Sequence, residues 1–367
     1  MTNYVLILIW LAICAFVTTI INLKKPELVC GEWEIRYRWL WALIVFLPVI
    51  IWAGTRSGFG DTGVYRQMFH DFPSTFTQLP AFLEGVTKDK GFTVLGTVIK
   101  VIIGDRDKLF FCIIAAIQGI CLVAIYRKYS SRYFVSIFLF IASADYLSWM
   151  FNGMRQFIAA SVLFACIGLI LRKRYVALIL IICIMASIHG SAWILLPMIF
   201  IAQGTAWNKK TVGFIAVLVV ILASLDQFTS VLDRLLQDTQ YNDILTNDVF
   251  TQDDGTNILR VVIYAVPAIL SFVLRKQIRF ENNPVINLCT NMSIISAGLY
   301  VVSMFTSGIY VGRLPIYFSL YGYILLPWEI DHMFTKDSRK YIYILMIISY
   351  LLFYYYQLHI AWEISLW

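Results

Sequence analysis

Charge is scarce in this chain: of 367 residues only 14% are Asp, Glu, Lys or Arg, while 60% are hydrophobic. A soluble domain carries about 25% charged and about 45–50% apolar residues, so the composition excludes an ordinary soluble fold. A mean hydropathy of +0.76 fits a polytopic membrane protein instead. Cysteine pairing is missing as well. Cys14, Cys30, Cys112, Cys121, Cys166, Cys183 and Cys289 are scattered, mostly inside apolar runs, with no CxxC and no Cys/His cluster. The pattern suggests neither a disulfide framework nor a metal site, and no cofactor is expected. Basic residues do not interleave with aromatics as in a nucleic-acid groove, so no nucleic-acid partner is expected. No internal repeat, low-complexity tract or soluble domain interrupts the chain, which reads as one transmembrane domain over residues 1–367. The run from Tyr4 to Leu23 is followed, not preceded, by lysines and lacks a small-residue cleavage site. It reads as a retained first span with its N-terminus outside.

What is present, beside each long apolar run, is a basic cluster. These are Lys24-Lys25, Arg36/Arg38, Arg127-Lys128, Arg172-Lys173-Arg174, Lys209-Lys210, Arg275-Lys276 and Arg339-Lys340. Lys and Arg concentrate in cytoplasmic loops, so neighbouring clusters should enclose an even number of crossings. A crossing needs about 20 apolar residues. The expected spans are 3–23, 39–54, 108–126, 134–150, 154–171, two short arms within 175–205, then 211–225, 258–274, 285–304, 314–328 and 341–357. That makes an all-α protein of twelve transmembrane helices with both termini outside. Its main outer loops are 55–107 and the Asp-rich 226–257. Gly91–Gly104 is apolar but too short to cross and reads as interfacial or re-entrant. The hairpins are expected to turn at Asn152-Gly153 and His189-Gly190-Ser191, the second with arms of roughly 15 residues that place its turn below the membrane surface.

This topology puts the unusual polar residues on the outer side: Arg56 and Asp61 in Arg56–Tyr65, Arg155 and Gln156 at the head of span 5, His189 at a helix break, Arg260 in span 9, and Arg313 before span 11. Ionisable groups at membrane depth are costly and usually face a cavity or a partner. Four arginines at outer helix ends suit an anion. Arg155 stands out, because its helix would direct a positive end outward with Asn152 as N-cap; snorkelling, or pairing with Asp145, is the plainer reading. Asp61 reads as a general base, a sugar-hydroxyl acceptor or a turn residue paired with Arg56. His189 reads as a proton carrier or as a side chain satisfying backbone carbonyls. Arg313 and Arg260 read as anion or sugar contacts or as interface anchors. The many Tyr and Trp residues are first an interfacial belt.

At these residues the chain is similar to the EpsG-like branch of Wzy-type polysaccharide polymerases. The resemblance rests on Gly60-Asp61-Thr62-Gly63-Val64-Tyr65, Arg155-Gln156-Phe157-Ile158-Ala159, His189-Gly190-Ser191-Ala192, and Gly312-Arg313 followed by Tyr317-Phe318 and Pro327. It extends in order and spacing over nearly the whole chain. It implies a GT-C-like glycosyltransferase of the bacterial cytoplasmic membrane, with its active site facing outside. Such an enzyme moves a growing glycan from one undecaprenyl diphosphate to a newly flipped, undecaprenyl-diphosphate-linked repeat unit. It implies no nucleotide sugar and no metal. On this reading Asp61, His189 and Arg155 are catalytic, while Arg56, Tyr65, Gln156, Arg260, Tyr310 and Arg313 contact diphosphate or sugar. In an alternative, these residues only bind sugar, and leaving-group stabilisation with proximity does the chemistry. Expected partners are the lipid-linked donor and acceptor, membrane lipids, a flippase and a chain-length regulator.

Two other classes compete. A lipid-linked oligosaccharide flippase or polysaccharide exporter also needs a cationic cavity, but it must present polar groups through the membrane to both faces. A membrane acyltransferase wants a His pair near a cytoplasmic acyl donor, where only His332 is expected.

Overall fold

Backbone amides removed from water must be satisfied within the chain, and the apolar runs accordingly fold as helices. The computed structural model describes residues 2–224, 255–308 and 311–366. The acidic loop expected at 226–257 falls almost wholly outside these residues, as does Tyr310. The chain divides into two units, Met1–Trp193 with Ile330–Trp367, and Ile194–Glu329.

The first unit begins with α1 (Asn3–Ile20), strands β1 (Lys24–Val29) and β2 (Glu32–Tyr37), and α2 (Trp39–Thr55). Then come α3 (Thr62–Asp71), α4 (Leu79–Glu84), α5 (Lys90–Ile103), α6 (Asp107–Tyr129), α7 (Tyr133–Ala142), α8 (Asp145–Phe151), α9 (Met154–Ala165), α10 (Ile167–Leu171) and α11 (Tyr175–Ile188). Helix α6, about 35 Å long, is the spine against which α2 and α9 pack. Small residues bring α2 and α6 together: a Cβ on Gly54 would lie 2.7 Å from Cys112 Sγ, and one on Gly119 2.5 Å from Ile50. Such contacts let membrane helices approach closely.

The β-hairpin is an element the all-α expectation lacks. Cys30 (φ 52°) and Gly31 (φ 93°) form its two-residue turn, and two successive positive φ values match the twist of antiparallel strands. Arg127 clamps it, donating from Nη1 and Nη2 to the Glu27 carboxylate at 2.8 Å and from Nη1 to the Tyr37 carbonyl. Arg36 donates to the Lys128 carbonyl. Lys24, Arg36, Arg127 and Arg132 thus surround a cavity of 210 Å³ at the Trp39 end of α2. Arg56, Asp61 and Arg155 belong to its Thr55 end, about 25 Å along the helix. This separation of polar groups is the one the basic clusters imply.

The segment expected as a span at 134–150 is instead α7 and α8, bent by 71° at Ser143-Ala144. Ala144 has φ 60°, and the Asp145 carboxylate that follows is buried, accepting from Gln357 Nε2 at 3.3 Å. Gly91–Gly104 folds as α5, packed on α6 and α11. The turn expected at His189-Gly190-Ser191 is present: α11 stops at Ile188 and a 3₁₀ turn covers Gly190–Ile194.

In the second unit, α12 (Leu195–Ala202), α13 (Lys209–Ala223), α14 (Ile258–Val273) and α15 (Arg275–Glu281) surround α16 (Pro284–Met304). Asn287 and Asn291 on α16 accept the Ala206 and Trp207 amides at 3.0 and 3.1 Å, and Asn291 donates to the Ala202 and Thr205 carbonyls. Tyr264 stacks on Tyr300 with ring centroids 4.7 Å apart. After the short α17 (Ile316–Ser319), α18 (Gly322–Met333) leads out of this unit, and α19 (Lys336–Tyr355) completes the first.

Four described helices are long and apolar enough to cross a membrane, or six if each bent pair counts as one span. The twelve expected crossings are not reached by helices of that length, because several correspond to apolar helices of 10–17 residues such as α2, α9 and α11.

Candidate functional site

The site is built around Asn152, in the turn between α8 and α9. Gly153 must follow it, since a Cβ there would lie 2.0 Å from the Trp149 ring. Asn152 was expected to cap α9, but its side chain is engaged elsewhere. Nδ2 donates to Ser148 Oγ at 3.0 Å, and Oδ1 accepts the Asp61 amide at 3.2 Å. The N-cap position of α9 falls to Gly153, which has no side chain to offer. Gly153 brings no side chain to the first N–H groups of α9, and the Tyr65 hydroxyl instead hydrogen-bonds the Arg155 backbone N–H and side chain, at a helix end of the kind that attracts anions.

Gly60, with φ 52°, lies directly over this turn, and a Cβ on it would come within 1.5 Å of Asn152 Oδ1. The loop before α3 is thereby keyed onto the head of α9. Arg56 reinforces the joint from below. Its buried guanidinium donates to the Ala53 carbonyl, Thr62 Oγ1 (3.1 Å) and the Phe151 carbonyl (3.5 Å), and lies 4.4 Å from the Phe111 ring centroid. Asp61 takes the N-cap position of α3 without a side-chain bond to that helix and leaves its carboxylate exposed. Tyr65, one turn on, is buried and donates to the Asn152 carbonyl at 3.3 Å. Burial pushes its phenol up, so it stays a protonated donor at neutral pH.

On α9, Arg155 is partly exposed, and its Nη1 donates to Asp89 Oδ2 at 2.6 Å. Its Nε is buried and has no partner among the described residues. Gln156 is buried and donates from Nε2 to Ser191 Oγ at 3.1 Å, while His189 Nδ1 lies 2.7 Å from the same hydroxyl. Ser191 thus links the head of α9 to the break after α11 and fixes the imidazole's orientation.

Six of the expected site residues, Arg56, Asp61, Tyr65, Arg155, Gln156 and His189, therefore gather in the first unit. Arg260 and Arg313 belong to the second. Arg260 is the third residue of α14, and Arg313, itself exposed, ends the 3₁₀ turn Val311–Arg313. The backbones leading to them are tied: the Thr256 amide donates to the Ser303 carbonyl and Ser303 Oγ to Thr256 Oγ1. Gly312 fits where a Cβ would meet Thr256 Oγ1 at 2.7 Å.

Two residues of the cluster carry no role in the sequence reading, and a third carries a different one. Asp89 sits in Lys88-Asp89-Lys90, which looks like a solvated charge run. Ser191 lies inside the His-Gly-Ser-Ala motif but attracted no role. Asn152 was read as a cap. A polar side chain within a few residues of a helix break is the only signal they carried.

Apolar helices of this number and length define a multi-pass membrane protein. The model of the EpsG family, Wzy-like proteins of polysaccharide-polymerase type, matches residues 39–364, and the chain belongs to that family. No curated protein and no solved structure matches the chain.

Proposed function

We propose that the protein is a GT-C-like glycosyltransferase of the bacterial cytoplasmic membrane. It transfers a growing glycan from undecaprenyl diphosphate to the terminal sugar of a newly flipped, undecaprenyl-diphosphate-linked repeat unit, at a site facing outside. Family membership supports the polymerase class. The observation that carries the reading is Arg155 at the head of α9, where Tyr65, Gln156 and His189 converge from three other segments or neighbouring positions.

In the reaction the acceptor hydroxyl oxygen bonds to the anomeric carbon and loses its proton. The bond from that carbon to the diphosphate oxygen breaks, and the electron pair stays on the diphosphate. Arg155, at the positive end of α9, faces that developing charge; a well-placed donor of this kind is typically worth about 3–4 kcal/mol. Two groups are at hand for the proton, the exposed Asp61 carboxylate and the His189 imidazole oriented by Ser191, a contribution of about 10²–10⁴ in rate. Arg56 holds the Asp61 loop in place for this step. Arg260, Tyr310 and Arg313 are assigned as substrate contacts of the second unit.

The test is the surface-polysaccharide ladder in a host lacking its own polymerase but supplying the cognate lipid-linked repeat, with Arg155→Ala compared at equal expression. Wild type should make a ladder and the variant only single-repeat caps. A full ladder from the variant would remove Arg155 from the site. Repeats stranded inside the cell would point to a flippase.

A further inference from the structure

The Arg155 guanidinium already holds an anion. Asp89 Oδ2 lies 2.6 Å from Nη1, and the Asp89 side chain is only 13% exposed, so this is no loose surface pair. The way the carboxylate gets there is unusual. Asp89 takes the N-cap position of α5, where an aspartate normally bonds the free amides of its own helix. It makes no such bond. Its backbone sits in the left-handed region at φ 54°, a conformation that costs a non-glycine residue free energy and persists only where the surroundings impose it. The residue forgoes its own cap and adopts a strained backbone in order to reach α9. Meanwhile Arg155 Nε is buried without a partner among the described residues, so the guanidinium is not saturated by Asp89.

We infer that Asp89 is a release residue: its carboxylate occupies the phosphate seat on Arg155, yields to the incoming lipid diphosphate and reclaims the guanidinium to expel the product. This rests on the proposed reaction. The chemistry there creates a release problem. Before transfer the diphosphate is esterified at both ends and carries two negative charges. When the anomeric carbon–oxygen bond breaks, the terminal phosphate gains an ionisable oxygen, so the product is more anionic than the substrate. An unopposed guanidinium would hold the product harder than the substrate and slow every later round. A competing carboxylate bound to the same nitrogen offsets that excess.

Asp89→Asn tests this in the full-length protein. Asparagine keeps the shape and tolerates the left-handed backbone at least as well, but it no longer competes as an anion. The binding probe is farnesyl diphosphate, whose terminal phosphate matches that of the product. Asp89→Asn is expected to bind it about three- to tenfold tighter, the scale of losing one partly buried competing ion pair. In the polymerisation assay the variant should show an undiminished first transfer followed by slower turnover, with KM and kcat falling together. Weaker farnesyl diphosphate binding, or a first transfer as slow as later ones, would overturn the inference and make Asp89 a mere strut for Arg155. Wild type and Arg155→Ala binding the probe equally would be a different failure: it would remove the diphosphate from Arg155 and take the proposed function's site with it.

Discussion

Gly60 offers the sharpest test of how the site is held together, because the same loop contains its own controls. Gly58 and Gly63 have no atom within 4 Å of a would-be Cβ, and neither has a positive φ. Gly60 has both constraints, φ 52° and a Cβ position 1.5 Å from Asn152 Oδ1. Alanine there costs roughly 1–2 kcal/mol for the left-handed backbone. It also expels the Asn152 side chain, breaking its bonds to the Asp61 amide and to Ser148 Oγ, each worth about 0.5–1.5 kcal/mol. The sum, about 2–5 kcal/mol, falls on the joint between the Asp61 loop and the head of α9. The assays are ladder formation at equal expression and thermal unfolding of the purified protein. Gly60→Ala should lose most of its polymer while Gly58→Ala and Gly63→Ala stay near wild type. Combining Gly60→Ala with Asn152→Ala removes the clash, so the pair should be non-additive by about 1 kcal/mol or more. If Gly60→Ala and Gly58→Ala are indistinguishable in both assays, the loop is not keyed on Asn152.

Two further outcomes bear on the scaffold. Lys100 is buried on α5 and donates from Nζ to the carbonyls of Phe69, His70 and Phe72 at the end of α3. Lys100→Met keeps the stem but leaves buried acceptors unmet at about 1–3 kcal/mol each, so a clear drop in the unfolding temperature is expected, and an unchanged one would mean that α3 does not depend on it. Glu27 is held below the usual carboxylate range first by its hydrogen bond from Arg127. A depressed folded value contributes stability above the unfolded value of about 4.3 that is lost as pH falls through the folded one. Hydrogen-exchange protection of the β1 amides should therefore decline in acid in wild type, and Glu27→Gln should abolish that dependence; equal pH profiles would dismiss the clamp.

The membrane class, the division of polar groups between two ends and the break at His189 were legible because each follows from a long-range regularity: apolar run length, the position of Lys and Arg, and a Gly-containing gap between two apolar arms. The hairpin was not. Its strands, Lys24-Lys25-Pro26-Glu27-Leu28-Val29 and Glu32-Trp33-Glu34-Ile35-Arg36-Tyr37, alternate weakly, and the turn uses Cys30 at positive φ where Asn or Gly would have signalled it. The bend at Ser143-Ala144 was hidden for the same reason, since alanine is a helix former and nothing local marks it as left-handed.

In the site, the residues found from sequence are those that are chemically out of place where they stand: Arg155 and Arg56 at the ends of apolar helices, and His189 at a break. Those missed are ordinary for their surroundings. Asp89 between two lysines suggests a solvated run, and only the tertiary fold, which brings the start of α5 to Arg155, turns it toward the guanidinium. Asn152 shows the converse error: an Asn before a helix is a good cap by residue type, yet the Asp61 amide and Ser148 compete for the same side chain and win. Because Asn152 is taken, the head of α9 lacks an Asn cap and meets the Tyr65 hydroxyl beside the Arg155 guanidinium instead. A glycine with positive φ some ninety residues upstream thus helps decide which side chain meets the first turn of α9. No local pattern can carry that dependence, and so the function of Gly60 becomes visible only once the two segments are seen in contact.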